Sequence, residues 1–501
     1  MFSDLVGSTA LSARMDPEDL RELISAYQKC VAETVGALAA SSVAPSDEQG
    51  DSMTDDLKKA TPSADGDGSL LVLVVLALVV GAISGLLGAI FRLSLERADR
   101  LRDTLIEWAH GQEAVGFVLV LILCTSAIAL AAWLVRRFSP YASGSGIPHV
   151  EAVIRGELPQ APFWLIPVKF VGGLLAIGAG LALGREGPSV QMGASSAHLV
   201  GKLFRRTWPD CRVLVAAGAG AGLATAFNAP IAGAIFVLEE LVQRFEHRIA
   251  IAALGASATA IGVARVLIGD APDFHVSALG YADAGTSPLY FVFGAFAGVL
   301  AVVYSRALLA TIATANRLNR LPAELRAALV GAAVGVLAWF APDLVGGGDA
   351  ITQRILAGGV SLTAIPAAFL VRFGLSTVSY AAGTPGGLFA PMLVLGAQFG
   401  LLSAGACRFM LPNLDVQPEA FAVVGMAAFF TGVVRAPITG IVLATEMTAS
   451  VTMLLPMLGA CSVAMLAPTL LNEPPIYESL RVHTLRADRG VENTSRERTA
   501  K

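Results

Sequence analysis

The chain has 501 residues, 55% of them hydrophobic and 15% charged, with a formal net charge of −4. Soluble domains carry nearer a quarter charged residues, so this much apolar surface needs a bilayer as solvent. The small negative charge gives no basic surface for nucleic acid. The five cysteines, Cys30, Cys124, Cys211, Cys407 and Cys461, have neither metal-ligand spacing nor even pairing and read as small buried hydrophobes.

Residues 1 to about 40 read as a strand stub, a Gly-Ser-Thr turn and an amphipathic helix with Leu20, Leu23, Ile24 and Tyr27 on one face. The opening "FSDLVGST" resembles the start of a class III nucleotide cyclase domain, which would make Asp4 a metal-binding position and the turn a phosphate cradle. The second metal carboxylate and the long mixed sheet of that family do not follow. Residues 41–68 instead form an acidic linker rich in Ser, Asp and Gly, which reads as disordered. A truncated or fused fragment is the reading preferred over a working, membrane-tethered cyclase. The polar, acidic first sixty residues also lack the pattern of a cleavable signal peptide.

Residues 69–472 read as a membrane body. The uncharged runs Gly68 to Phe91, Ala114 to Val135, Ser287 to Tyr304, Phe373 to Cys407 and Met447 to Asn472 are each near or above the roughly 20 residues that span a bilayer. Arg136 and Arg137 favour a cytoplasmic end for the second span. Residues 473–501 are polar and charged and read as a cytoplasmic tail.

The body repeats itself. A shift of 207 residues carries "GAGAGLATAFNAPIAGAIFVLEE" from Gly218 onto "GMAAFFTGVVRAPITGIVLATEM" from Gly425, placing Ala229-Pro230-Ile231 on Ala436-Pro437-Ile438 and Glu239 on Glu446. A shift of 203 carries Pro188 and Gly193 of "EGPSVQMGA" onto Pro391 and Gly396 of "FAPMLVLGA". Two matches in the same order argue for duplicated halves, about 69–270 and 285–472. Such halves meet near the bilayer midplane and build sites from broken helices there.

Gly and Pro punctuate the body at "GSGIP" (144–148), "GREGP" (184–188), "GTPGGLFAP" (383–391) and the paired "FNAP" and "VRAP". Pro in a first helical turn wastes no hydrogen bond, and glycines let the preceding backbone turn sharply. Each motif therefore reads as a loop delivering a helix N-terminus inside the membrane, tolerable only where it lines a cavity. Free N–H groups and partial positive charge at several such ends make an anion site that attracts without trapping. Glu186, beside Arg185 in one of these loops, is expensive at such depth unless it has a use.

GSGIP, GREGP, GGLFAP and the Tyr of "PPIYESL" together resemble the CLC family of chloride channels and proton-coupled chloride transporters, over about residues 69–480. The resemblance implies an all-α polytopic homodimer in the cell (plasma or inner) membrane, with two inverted halves of broken, tilted helices per subunit. It implies chloride and protons as cargo, no cofactor and no enzymatic reaction. Position by position, it gives Ser145, Tyr477 and the backbone amides of Leu388 and Phe389 to chloride. Arg185, Gly146 and Ile147 would line the pathway, and Glu186 would be the gating, proton-carrying glutamate. A carboxylate aimed at an anion site mimics the anion when charged and swings away when protonated, if its pKa lies within reach of ambient pH. The alternative for Glu186 is a permanent pair with Arg185, disfavoured because adjacent residues at a helix start do not face each other.

In "FVLEEL" the resemblance makes Glu240 the internal proton acceptor of the exchangers, so its presence favours antiport over a passive chloride channel. Glu239 reads as structural because Glu446 is its repeat mate. Ser145 fits chloride, whereas proline there marks nitrate-selective relatives. His149 and His198 lack partners at ligand spacing, so no metal is expected. Lys169, alone in "PVKF", reads as a partly buried structural pairing, and Met392 as core.

Overall fold

The computed structural model describes residues 66–486 apart from 277, 278, 282, 284 and 319. The cyclase-like segment and the acidic linker, including Asp4 and Cys30, lie outside the described residues. The elements, in order, are α1 (Gly66–His110), α2 (Glu113–Phe138), α3 (Ile147–Ile154), α4 (Leu165–Gly178), α5 (Glu186–Leu203), α6 (Trp208–Phe227), α7 (Pro230–Phe236) and α8 (His247–Ile268). The second set is α9 (Ser287–Arg317), α10 (Ala323–Phe340), α11 (Asp349–Leu356), α12 (Ile365–Ala381), α13 (Phe389–Met410), α14 (Pro418–Val434), α15 (Pro437–Thr448), α16 (Leu454–Ala464) and α17 (Leu466–Leu470). A last helix covers 476–486. Seven of these are long and apolar enough to cross a membrane.

Two apolar runs do not behave as single spans. The run Phe373 to Cys407 breaks at 382–388, where glycines and Pro385 separate α12 from α13, and Met447 to Asn472 divides among α15, α16 and α17. Uncharged length alone cannot reveal a break that glycine and proline impose. The proposed tail is also corrected. Ile476 and Tyr477 are fully buried, so the body extends through the last helix.

α6 and α14 are apolar all round, and nearly every residue in each is buried. Such helices belong at the centre of a bundle. α5 packs on α6, and α13 packs on α14. A Cβ at Gly193 would overlap the Gly218 carbonyl, and one at Gly396 would overlap the Gly425 carbonyl, so both crossings bring backbones into contact. The outer helices carry exposed apolar side chains such as Ile122, Leu130, Leu329 and Phe340, a surface suited to lipid.

The duplication extends further than its two sequence matches. Gly81 and Gly85 of α1 press on Ala256 and Ala260 of α8, as Gly294 and Gly298 of α9 press on Ala460 and Ala464 of α16. α6 ends at Asn228 and α14 at Arg435, both left-handed (φ 50° and 71°). Each is followed by Ala-Pro opening α7 or α15. The Glu446 carboxylate accepts from the N–H groups of Ile231 and Ala232 at 3.1 and 2.7 Å. Glu239 accepts from those of Ile438 and Thr439 at 3.0 and 2.7 Å. Each half thus caps a broken helix of the other, which makes Glu239 structural as expected. It also corrects one expectation: the FNAP and VRAP helix ends are satisfied by carboxylates of the protein and do not join the other three motifs.

Candidate functional site

Three broken-helix loops are stitched together by main-chain hydrogen bonds. Gly144 N–H donates to Thr384 O at 3.1 Å and Gly386 N–H to Gly144 O at 3.0 Å, joining GSGIP to GTPGG. Gly184 and Gly387 exchange a reciprocal pair at 2.9 and 2.7 Å, joining GREGP to GGLFAP. Helices α3, α5 and α13 therefore begin around one point, and their N-terminal dipoles converge there.

Glu186, fully buried, occupies that point. Its Oε1 accepts from the Phe389 N–H at 2.6 Å. Gly184 and Gly387 flank it so closely that a Cβ on either would overlap the carboxylate. Glycine is required here for space. Leu388 caps α13 and is buried, as is Phe389. The Tyr477 ring stacks on Phe389, centroids 6.0 Å apart, which brings the last helix to the start of α13. A Cβ on Gly187 would lie 2.6 Å from the Ser145 hydroxyl oxygen, which places Ser145 beside the glutamate's loop. The hydroxyls of Ser145 and Tyr477 and Oε2 of Glu186 are buried without a hydrogen-bond partner among the described residues. Buried polar atoms left this way need a polar occupant of the site.

Gly146 caps α3 at φ 85°, where a side chain would strike Gln191, and Ile147 behind it is fully buried. Arg185 does not pair with Glu186. Its guanidinium donates to Ala226 O at 2.8 Å and pairs with Asp349 and Asp273 at 3.0 and 3.1 Å.

Two clefts reach the junction from opposite ends. One, of about 210 Å³, is lined by Gly144, Gly146, Tyr380 and His483 among others. The other, of about 530 Å³, is walled by three arginines, Arg92, Arg100 and Arg185, and four carboxylates, Glu96, Asp99, Asp273 and Asp349. α4 connects the two sides. Its Lys169 holds the Gly144 loop, while Ile177, two turns on, lines the second cleft.

Glu240 lies in the π-helical turn Val237–Val242 and is 4% exposed. Among the described residues, no hydrogen bond or ion pair holds its carboxylate. The turn is tied to α3 and the last helix, because Gln243 accepts from Arg155 at 2.8 Å, Arg155 pairs with Glu151, and Arg481 of the last helix also pairs with Glu151.

Lys169 is structural, as its sequence reading has it, whereas Arg372, Asp273 and Asp349 escaped that reading. Lys169 is fully buried, and its Nζ donates to the carbonyls of Ala142 and Gly144 at 3.0 and 2.7 Å. It grips backbone instead of an acidic partner. Arg372, 203 residues on, does the same in the second half, donating to Leu344, Gly346 and Gly347 carbonyls. The loop it grips, Gly346-Gly347-Gly348, caps α11 as Gly144-Ser145-Gly146 caps α3, with Gly348 at φ 97°. Extending the repeat from Lys169 would have found both. Asp273 and Asp349 left no local signal.

Broken helices meeting around a buried carboxylate between two clefts define a membrane carrier or channel built for anions. Residues 127–468 match the family described as voltage gated chloride channel. The H(+)/Cl(-) exchange transporter ClcA of Vibrio parahaemolyticus is 36% identical over 434 residues, covering 83% of this chain and 90% of the relative. That of Yersinia pseudotuberculosis is 36% identical over 429 residues, covering 84% and 89%. The solved structure of a slow cyanobacterial Cl−/H+ antiporter aligns with a TM-score of 0.79 at 32% identity, over 83% of this chain and 98% of that one. A CLC-type fluoride/proton antiporter, 21% identical over 80% of this chain and 97% of its own, shares the fold at a TM-score of 0.70. This chain belongs to the voltage-gated chloride channel (CLC) family and is a multi-pass membrane protein.

Proposed function

We propose that the protein exchanges chloride for protons across a cell membrane, as a homodimer with one pathway in each subunit. The observation that carries the reading is the Phe389 N–H donated to the Glu186 carboxylate at 2.6 Å. A helix N-terminus suits an anion of either kind, so carboxylate and chloride compete for one seat. Chloride takes the amides of Leu388 and Phe389 and the otherwise unpartnered hydroxyls of Ser145 and Tyr477. Protonation removes the charge that holds Glu186 there. The side chain then leaves toward the Arg185 cleft, and chloride fills the position it vacates. Glu240 passes protons between Glu186 and the solution on the Gly144 side. Arg185, Gly146 and Ile147 line the route.

Antiport is favoured over a passive channel because an acidic, unpaired side chain stands at the Glu240 position. In proteoliposomes with an imposed chloride gradient, the wild type should drive protons uphill. Glu240→Val should keep moving chloride while proton movement disappears. Chloride flux with no pH change in the wild type would establish a passive channel instead. Chemical crosslinking in native membranes should capture a dimer.

A further inference from the structure

We propose that Asp349 is an electrostatic brake on anion entry through the Arg185 cleft, a rate-setting residue for the chloride transport inferred above, on which this inference rests. Arg185 belongs to the buried glutamate's own loop, and its guanidinium already faces two carboxylates. Asp273 is 3% exposed and divides its two oxygens between Arg185 and Arg92, at 3.1 and 2.7 Å, so it is the structural counter-charge. Asp349 adds a second carboxylate to the same guanidinium at 3.0 Å while its side chain remains 47% exposed to the cleft. The wall's four carboxylates face three arginines, and Arg102 pairs with one of them, Asp99, at 2.7 Å, so the charges balance with Asp349 and are positive without it.

Without Asp349 a positive mouth would gather anions for the donors below; its carboxylate cancels that pull and slows capture. The backbone does not demand the acid. Asp349 follows the Gly346-Gly347-Gly348 cap, and the same place after Gly144-Ser145-Gly146 in the first half holds Ile147. The carboxylate is therefore separable from the fold that carries it.

The test is the initial chloride flux of the full chain in proteoliposomes as chloride is varied. Asp349→Asn should raise the rate at low chloride about three- to tenfold. The gain should vanish at saturating chloride and as impermeant salt shortens the screening length. Asp349→Glu, which keeps the charge, should match the wild type. So should Asp343→Asn, which removes an exposed carboxylate that pairs with Arg354 and does not line this cleft. The wild type supplies a test that needs no variant. Impermeant salt should leave its flux at low chloride nearly unchanged, because its mouth is balanced. An Asp349→Asn rate equal to or below wild type, a gain indifferent to ionic strength, or a wild type slowed by salt would each overturn the brake. If the wild type moves no chloride under any condition, the transport reading itself has failed.

Discussion

Glu186 is confined by contacts with no slack, and that confinement makes its behaviour testable. Glu186→Gln keeps the size but not the charge, as protonation does. Chloride flux should continue, proton movement should fall at least tenfold, and the pH dependence of chloride flux should flatten, because the group that takes the proton is gone. The check is paired chloride and pH electrodes on one preparation. Ser145→Ala and Tyr477→Phe each remove one donor from a charged ligand. A hydrogen bond to a charged group contributes about 1.5–3 kcal/mol, so chloride binding by calorimetry should weaken about tenfold or more for each. Gly387→Ala should do something different, because its Cβ would intrude on the seat that carboxylate and chloride share. Both should be hindered there, and chloride flux and proton movement should fall together. At this scale the sequence was informative about identity and poor about partners. Glu186, Ser145 and Tyr477 sit in recognisable motifs, but the ion pairs of Arg185 go to residues 88 and 164 positions away. Nothing near Asp273 or Asp349 in the chain announces them.

Among elements, the broken helices divide into two kinds. α3, α5 and α13 leave donors facing the buried site. α7 and α15 have theirs satisfied by Glu446 and Glu239. A helix end that loses its cap costs about 0.5–2 kcal/mol. Glu446→Ala and Glu239→Ala should therefore each lower the melting temperature in detergent by about 1–3 °C, with Glu239 the larger because it also accepts from the Thr439 hydroxyl. Neither should alter the ratio of chloride to protons moved, whereas Glu240→Val should alter that ratio and leave the melting temperature nearly unchanged. Adjacent acids on one turn are thereby assigned separate work. The sequence had pointed to Glu239 as structural through its repeat mate. It could not say what the pair does, because a cap between halves is a contact across some 200 residues.

Across the whole molecule, matched crossings tie the halves. Gly193 meets Gly218, and Gly396 meets Gly425, with backbone against backbone in both. Gly193→Val and Gly396→Val should be alike in effect, each costing about 3 kcal/mol or more through overpacking and leaving little monodisperse protein on size exclusion. A mild outcome for one and a severe one for the other would argue that the halves do not share the load. The sequence by itself determined that a bilayer is the solvent, where backbone must break, which family the motifs belong to, and that the body is duplicated. Those properties follow from local composition and from glycine and proline, whose effect is felt within a few residues. Only the tertiary structure decided which broken helices share a site, which cation is neutralised by which carboxylate, and that a segment read as a tail belongs to the core. Those depend on long-range packing, where a loop's neighbours are set by how two halves close on each other.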